Sequence, residues 1–296
     1  MALALGSMSD AAQTPSTSEK SGSNALYDTD IYAATSKDGL SFTYVPKPVA
    51  HHAAMPDLVE ITHAGAAGDP GTLRVYFVDA SHLPDIEDDG LAVSTSTDGA
   101  AWSEPEPVRL IGKPFRGVAM EPSIVELPDG KLRLYFVDSD LASAHNVYSA
   151  VSLNGIDFDV EPGVRFQMSN VADPDVVRMG DQWLMLLSHA TDTLLAHSPD
   201  GLTFALDKGF WLSFGNEPTG LAIDDHTVRI FVTAPDGIAS ATFEPLSPDE
   251  PKVEAGVRIS GGSAVRIADP ACIRRSDGSD YLLFTRRSQP MSRSAR

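Results

Sequence analysis

Asp173-Pro174-Asp175-Val176-Val177 opens a short apolar run, Gly180-Asp181 turns the chain, and Trp183-Leu-Met-Leu-Leu-Ser188 follows as a second run. Locally this reads as strand, tight turn, strand. The chain repeats it. Glu121-Pro122 precedes Leu132-Arg-Leu-Tyr-Phe-Val137, Glu217-Pro218 precedes Val228-Arg-Ile-Phe-Val-Thr233, and Asp269-Pro270 precedes Tyr281-Leu-Leu-Phe-Thr285. A fifth copy, Met55-Pro56-Asp57, precedes Leu73-Arg-Val-Tyr-Phe-Val78. The copies start at 55, 121, 173, 217 and 269, with spacings of 66, 52, 44 and 52. Periods of this size belong to repeat architectures, which cannot bury a core one repeat at a time.

A second pattern interleaves with the first: Ser-x-Asp/Asn-Gly-x-x-aromatic between two apolar runs. It occurs at Ser36 to Phe42, Ser96 to Trp102, Ser152 to Phe158 and Ser198 to Phe204. Asp-Gly and Asn-Gly between strands are strong hairpin signals, because the turn needs residues that tolerate positive φ. The aromatic beyond the Gly is placed to pack on a neighbouring unit.

Each complete repeat therefore holds four short strands: the acid-proline strand, the second apolar run, and the two flanking the Asp-Gly turn. Four antiparallel strands repeated five times predict an all-β fold, a five-bladed β-propeller. The repeat from Glu217 replaces its Asp-Gly turn with the proline-rich Glu244 to Pro251, so an irregular outer edge is expected there. The repeat from Asp269 runs out after two strands, and the two it lacks stand at the other end, Ile31 to Val45. Closing the last blade with N-terminal strands pairs both open edges. The expected organisation is a disordered, Ser/Thr/Gly/Ala-rich tail over 1–28, the propeller over 29–288 and a tail over 289–296. Gly6-Ser7-Met8 reads as a cloning junction ahead of a native Met8, which would leave no export signal; a trimmed signal would instead make the tail a secreted linker.

With 41 acidic against 22 basic residues, the net charge is −19. Nucleic-acid phosphates and anionic membranes both require a basic surface, so neither is an expected partner. Cys272 is the single cysteine, which rules out an internal disulfide.

In a propeller the first strand of each blade lines the central channel. The acid-proline positions put Glu121, Asp173, Glu217 and Asp269 around one axis, with Met55 in the fifth blade and Asp57 two places on. Crowded carboxylates repel one another, and desolvation raises the pKa of some. A protonated acid beside an ionised carboxylate is what glycosidic bond cleavage uses. The same acids also have a structural explanation: an acid before a proline caps a turn, and repeats inherit their pattern.

At Ala172-Asp173-Pro174-Asp175-Val176-Val177 with the following Gly180-Asp-Gln-Trp-Leu-Met-Leu, and at the Ser-x-Asp-Gly-x-x-Phe turns, the chain resembles the five-bladed glycosidases of glycoside hydrolase families 43 and 32. This is the arabinanase, xylosidase and fructosidase clan, and the resemblance spans about Asp30 to Arg287. The turns are also similar to a shortened sialidase Asp-box. The resemblance implies a hydrolase of furanose or pentose-type glycosides, with acids at the heads of inner strands. In the clan these read Asp, Asp, Glu; here they read Glu, Asp, Glu, Asp. On that basis Glu217 is expected to be the general acid and Asp173 the base or nucleophile. Asp269 would tune the acid or hold sugar hydroxyls, and Glu121 is the alternative acid.

Arg116, Arg165 and Arg266 lie just upstream of acid positions. Arg116 and Arg266 are candidates to clamp a carboxylate or hydroxyl group at the mouth. Asp57, His52 and His189 are further candidates for substrate contact, while Trp183 and Trp211 read as packing residues. His51, His52 and His189 lack metal-ligand spacing, and Cys-based metal motifs, Gly-rich phosphate loops and Ser/His/Asp nucleophile patterns are missing, so no cofactor or metal is expected. The expected partner is a small-molecule or oligosaccharide substrate. Two alternatives stand beside the hydrolase: a lyase, isomerase or metal-assisted enzyme on the same scaffold, and a non-catalytic glycan-binding propeller.

Overall fold

The computed structural model describes residues 29–81, 90–115, 117–138, 145–245, 247, 250–262 and 265–288. The expected tails, 1–28 and 289–296, lie outside the described residues. Five antiparallel-built sheets form the five blades of a propeller. Among the described residues there is no helix, and hence none long and apolar enough to cross a membrane.

Blade 1 has the strand order Ala53–Glu60, Leu73–Asp79, Leu91–Ser96, Glu106–Pro107. Blade 3 (Val171–Met179, Gln182–His189, Asp192–Ser198, Ala205–Leu206) and blade 4 (Asn216–Ala222, Val228–Ala234, Gly237–Phe243, Lys252–Val253) repeat it. Blade 2 is larger than the repeat predicts. Beyond Ala119–Glu126, Leu132–Asp138, His145–Ser152 and Asp157–Val160, the connection from blade 1 adds Arg109–Ile111 in parallel at the outer edge, and Phe166–Met168 pairs with His145–Ser152. Blade 5 joins the two ends of the chain. Val265–Arg274 and Asp280–Ser288 are completed by Asp30–Ser36, which pairs along its whole length with the latter from Asp30↔Arg286 to Ser36↔Asp280, and then by Thr43–Tyr44.

The second strands are the most buried elements. In Leu73–Asp79 and Leu132–Asp138 every apolar side chain is enclosed, because a blade is covered on both faces by its neighbours. The Asp-Gly turns perform the expected packing. Phe158, Phe204 and Trp102 lie against Tyr76, Tyr135 and Tyr281 of the preceding blade, at 5.9, 6.1 and 6.5 Å between ring centres. The phenol hydroxyls of those tyrosines donate to the turn carbonyls of Gly155, Gly201 and Gly99 at 2.9, 2.8 and 2.5 Å. Within each turn the Ser hydroxyl accepts the Gly N–H, as Ser198 does for Gly201 at 2.9 Å. Gly201 has φ of +71°, and a Cβ there would stand 2.8 Å from Trp183 Cδ2. The turn is thus fixed in sequence by conformation and by space together.

Blade 4 lacks this turn, as its proline-rich segment predicts. The gap appears as an outer groove of about 1020 Å³ between blades 3 and 4, walled by Phe210 to Phe214 and Phe243 to Pro245. None of the axial acids lines it.

Candidate functional site

The acid-proline pairs do not open the inner strands, as the sequence reading has it; they sit inside them as β-bulges. Pairing shifts register between Ala54 and Asp57, Met120 and Ser123, Ala172 and Asp175, Asn216 and Thr219, and Ala268 and Ala271. Each shift leaves the acid (or Met55) and its proline opposite one residue. Proline has no N–H for the ladder and is tolerated in a sheet at such a bulge. The residue before proline is pushed out of the right-handed helical region. All five take the left-handed one: φ is 53° at Met55, 55° at Glu121, 49° at Asp173, 51° at Glu217 and 48° at Asp269. Such a conformation costs a non-glycine residue about 1–3 kcal/mol. Because Met55 shares it, the strain belongs to the scaffold. Its effect is to turn five side chains toward one axis, where with the five prolines, Asp57 and Asp175 they enclose a cavity of about 40 Å³.

Below this ring a second set of side chains, two residues on, clasps each of blades 1 to 4 to the next. Asp57 accepts the Ile124 N–H at 2.7 Å, and Ser123 accepts that of Val176 at 2.9 Å. Asp175 accepts the Gly220 N–H at 2.9 Å and the Thr219 hydroxyl at 3.1 Å; Thr219 in turn accepts the Cys272 N–H at 3.2 Å. Asp57, expected to contact substrate, is therefore engaged between blades. Burial pushes the Asp57 carboxyl well above its usual range, with the Asp175 charge adding to it, and pushes Asp175 up to about 7.

In the upper ring, Glu121 Oε2 accepts the Asp173 N–H at 2.8 Å, and Glu217 Oε2 accepts the Asp269 N–H at 3.3 Å. Burial raises Asp173 well above the carboxylate range, reinforced by the charges of Glu121 and Glu217. Burial likewise raises Asp269, reinforced by Glu217 and Asp173, and a hydrogen bond from the Asp269 carboxyl to Glu217 adds to the rise. Glu121 reaches about 7, again mainly through burial. Glu121, Asp173 and Asp269, enclosed this closely, cannot all ionise together, so protons are held within the ring.

The lining is lopsided. At the second-strand position paired with the residue just before the bulge, blades 1 and 2 carry Val78 and Val137, whereas blades 3, 4 and 5 carry Ser188, Thr233 and Thr285. Ser188 accepts the Glu217 N–H at 2.7 Å and hydrogen-bonds the Asp173 carboxyl; Thr233 accepts the Asp269 N–H at 3.1 Å; Thr285 donates to Asp269 Oδ2 at 2.8 Å. A mouth cavity of about 110 Å³ opens on this polar side, lined by Thr29, Ala54, Met55, Glu217, Arg266, Ala268, Asp269, Thr285 and Arg287. The three hydroxyls and Arg287 are absent from the sequence expectation. The hydroxyls show themselves once the second strands are aligned, as Ser or Thr where two repeats have Val.

The other candidates separate. Arg266 reaches Glu217 Oε1 at 3.5 Å and stays half exposed. Arg116 lies outside the described residues. Arg165 is buried and donates to the Pro162 and Gly163 carbonyls, so it braces a turn. His52 is exposed, with its backbone N–H on Asp30 Oδ1 at 3.3 Å, and His51 holds the same carboxylate at 3.0 Å. His189 belongs to blade 3, edge-on to Trp211 at 5.8 Å, and so stands apart from His51 and His52 on the blade 5 to blade 1 connection. Trp183 is buried between Arg133 and Arg178, a packing residue as expected. Trp211 is not: it is 53% exposed, with its indole N–H on Asp192 at 3.0 Å.

Neither a protein-family model nor a curated protein sequence matches the chain. Solved structures do match its fold. A protein of unknown function from Dyadobacter fermentans is 14% identical with a TM-score of 0.58, over 90% of this chain and 86% of that one. An N-acetylgalactosamine deacetylase from F. plautii, in complex with blood group B trisaccharide, is 12% identical with a TM-score of 0.58, over 88% and 96%. The α-L-arabinofuranosidase CtGH43 of Clostridium thermocellum is 17% identical with a TM-score of 0.52, over 78% and 80%. What the chain shares with them is the five-bladed fold.

Proposed function

We propose that the chain is a glycoside hydrolase acting on a furanose or pentose-type glycoside at the axial mouth. The observation that carries this reading is the contact of Glu217 with Asp269, whose N–H donates to Glu217 Oε2 at 3.3 Å, where the two open on the mouth cavity beside Arg266. Burial and the neighbouring Glu217 charge hold the Asp269 carboxyl well above the carboxylate range, an arrangement that keeps a proton available at the pair. Glu217 delivers that proton to the departing glycosidic oxygen, and Asp269 tunes it. Asp173, whose carboxyl receives the Ser188 hydroxyl, is the base or nucleophile, and Glu121 holds it from the next blade. The likeness in fold to an arabinofuranosidase supports this reading. The likeness to a deacetylase supports a second one, an amide-cleaving enzyme on the same scaffold.

The test is turnover of a panel of aryl furanosides and pyranosides, run beside acetate release from N-acetylated sugars. Glu217→Gln and Asp173→Asn should each lower glycoside turnover by about a hundredfold or more, the usual size of an acid-base contribution. Turnover that survives both substitutions rejects these roles. Sugar binding without any turnover makes the propeller a binding module, and acetate release alone selects the second reading.

A further inference from the structure

Arg266 and Arg287 are direct cross-strand partners in blade 5, so their side chains leave the same face of the sheet. Both line the mouth cavity next to Glu217 and Asp269. Like charges facing each other across a ladder are destabilising, and a chain with 22 basic against 41 acidic residues has few cations to spend on such a pair. Neutralising Glu217 explains only half of it. Arg266 makes that contact at a long 3.5 Å with 49% of its side chain exposed. Among the described residues the Arg287 side chain has neither a hydrogen-bond nor an ion-pair partner, although the residue is only partly exposed. Two arginines set side by side on paired strands each present a planar fork of donors that matches a carboxylate or a sulfate.

We propose that the mouth takes a sugar carrying an oxyanion substituent, a carboxylate or a sulfate ester, held by Arg266 and Arg287 beside the Glu217–Asp269 pair. The inference rests on the axial mouth being the substrate site, as proposed above, and does not require that the bond be hydrolysed. The guanidinium pair offsets the field of the ring acids for the bound anion, while a neutral sugar would leave Arg287 without a partner and Arg266 with only its long contact to Glu217. The hydroxyls of Thr29 and Thr285, lining the same cavity, suit the uncharged part of the ring.

The experiment is calorimetric titration of the full chain with methyl glucuronoside, methyl glucoside and glucose 6-sulfate, at low and at raised salt. The expected result is that one of the anionic sugars binds about ten- to hundredfold more tightly than the neutral one, in keeping with charge-assisted hydrogen bonds. That preference should shrink with salt and be lost in Arg287→Gln at unchanged melting temperature. The tighter anion tells carboxylate from sulfate. Should Arg287→Gln fail to fold, Arg287→Lys, which keeps the charge and loses the fork, is expected to show a weakened preference. Equal binding of neutral and anionic sugars, no binding of either anion, or a preference untouched by both substitutions overturns the proposal. Anion-selective binding with no glycoside turned over leaves it standing and removes the hydrolase reading instead.

Discussion

Glu121→Gln separates the electrostatics of the ring from its shape. Gln has the outline of a protonated Glu, and its carbonyl can still accept the Asp173 N–H that Glu121 holds at 2.8 Å. Burial, against the pull of that N–H and with the push of Asp269 and Glu217, raises Glu121 from 4.5 to about 7. The folded chain therefore grips this proton more tightly than the unfolded chain does. Below the unfolded value both states are protonated and the contribution to stability is fully present. Between that value and about 7 the folded state keeps a proton that the unfolded state has released, and each pH unit of rise removes about 1.4 kcal/mol. By pH 8 the loss amounts to about 3 kcal/mol. Glu121→Gln never loses its equivalent. It should match the parent protein near pH 4.5 and exceed it by up to about 3 kcal/mol near pH 8, in urea titrations followed by tryptophan fluorescence. The reasoning is refuted if the Gln variant is the less stable one near pH 8, or if its gain is the same at both ends.

Two further substitutions probe the contacts between blades. Gly201→Ala places a Cβ 2.8 Å from Trp183 and 2.9 Å from the Tyr135 hydroxyl at a φ of +71°, so it should cost about 2–3 kcal/mol in urea unfolding, against about 1 kcal/mol for Tyr135→Phe. A neutral Gly201→Ala would show that the turn does not lock blade 3 to blade 2. Asp175→Ala strips the Gly220 N–H and the Thr219 hydroxyl of their acceptor and should cost about 2–4 kcal/mol. Asp175→Asn should be the milder change, since burial already holds Asp175 up to about 7; equal losses in the two variants would count against the clasp.

The fold was legible because its signals are local and repeated. Acid-proline pairs, Asp-Gly turns and the strand missing from one end and spare at the other all stand in the sequence, and the paired Asp30–Ser36 and Asp280–Ser288 answer the last of them. The site was legible only in outline. That Glu121, Asp173, Glu217 and Asp269 converge follows from the repeat, but the reason lies in backbone conformation: a bulge within the strand, which an acid-proline pair does not distinguish from a strand start. Arg287 could not be found from its neighbours, since its meaning comes from facing Arg266 some twenty residues earlier across a hairpin. Trp211 looked like core because a tryptophan commonly is. It stands open on the wall of the outer groove, held at Asp192 by its indole N–H.

The last blade, assembled from both ends of the chain, sets the order of events during synthesis. Asp30–Ser36 leaves the ribosome some 250 residues before its partner Asp280–Ser288 is made. For most of that time a strand with one unfilled ladder waits on an incomplete ring, and pairing across such a sequence separation is slow. An unfilled ladder can accept the matching strand of another copy in place of its own. Slow elongation before Asp280 is reached, or a high local density of nascent chains, would therefore favour rings closed in trans, each blade 5 built from two molecules.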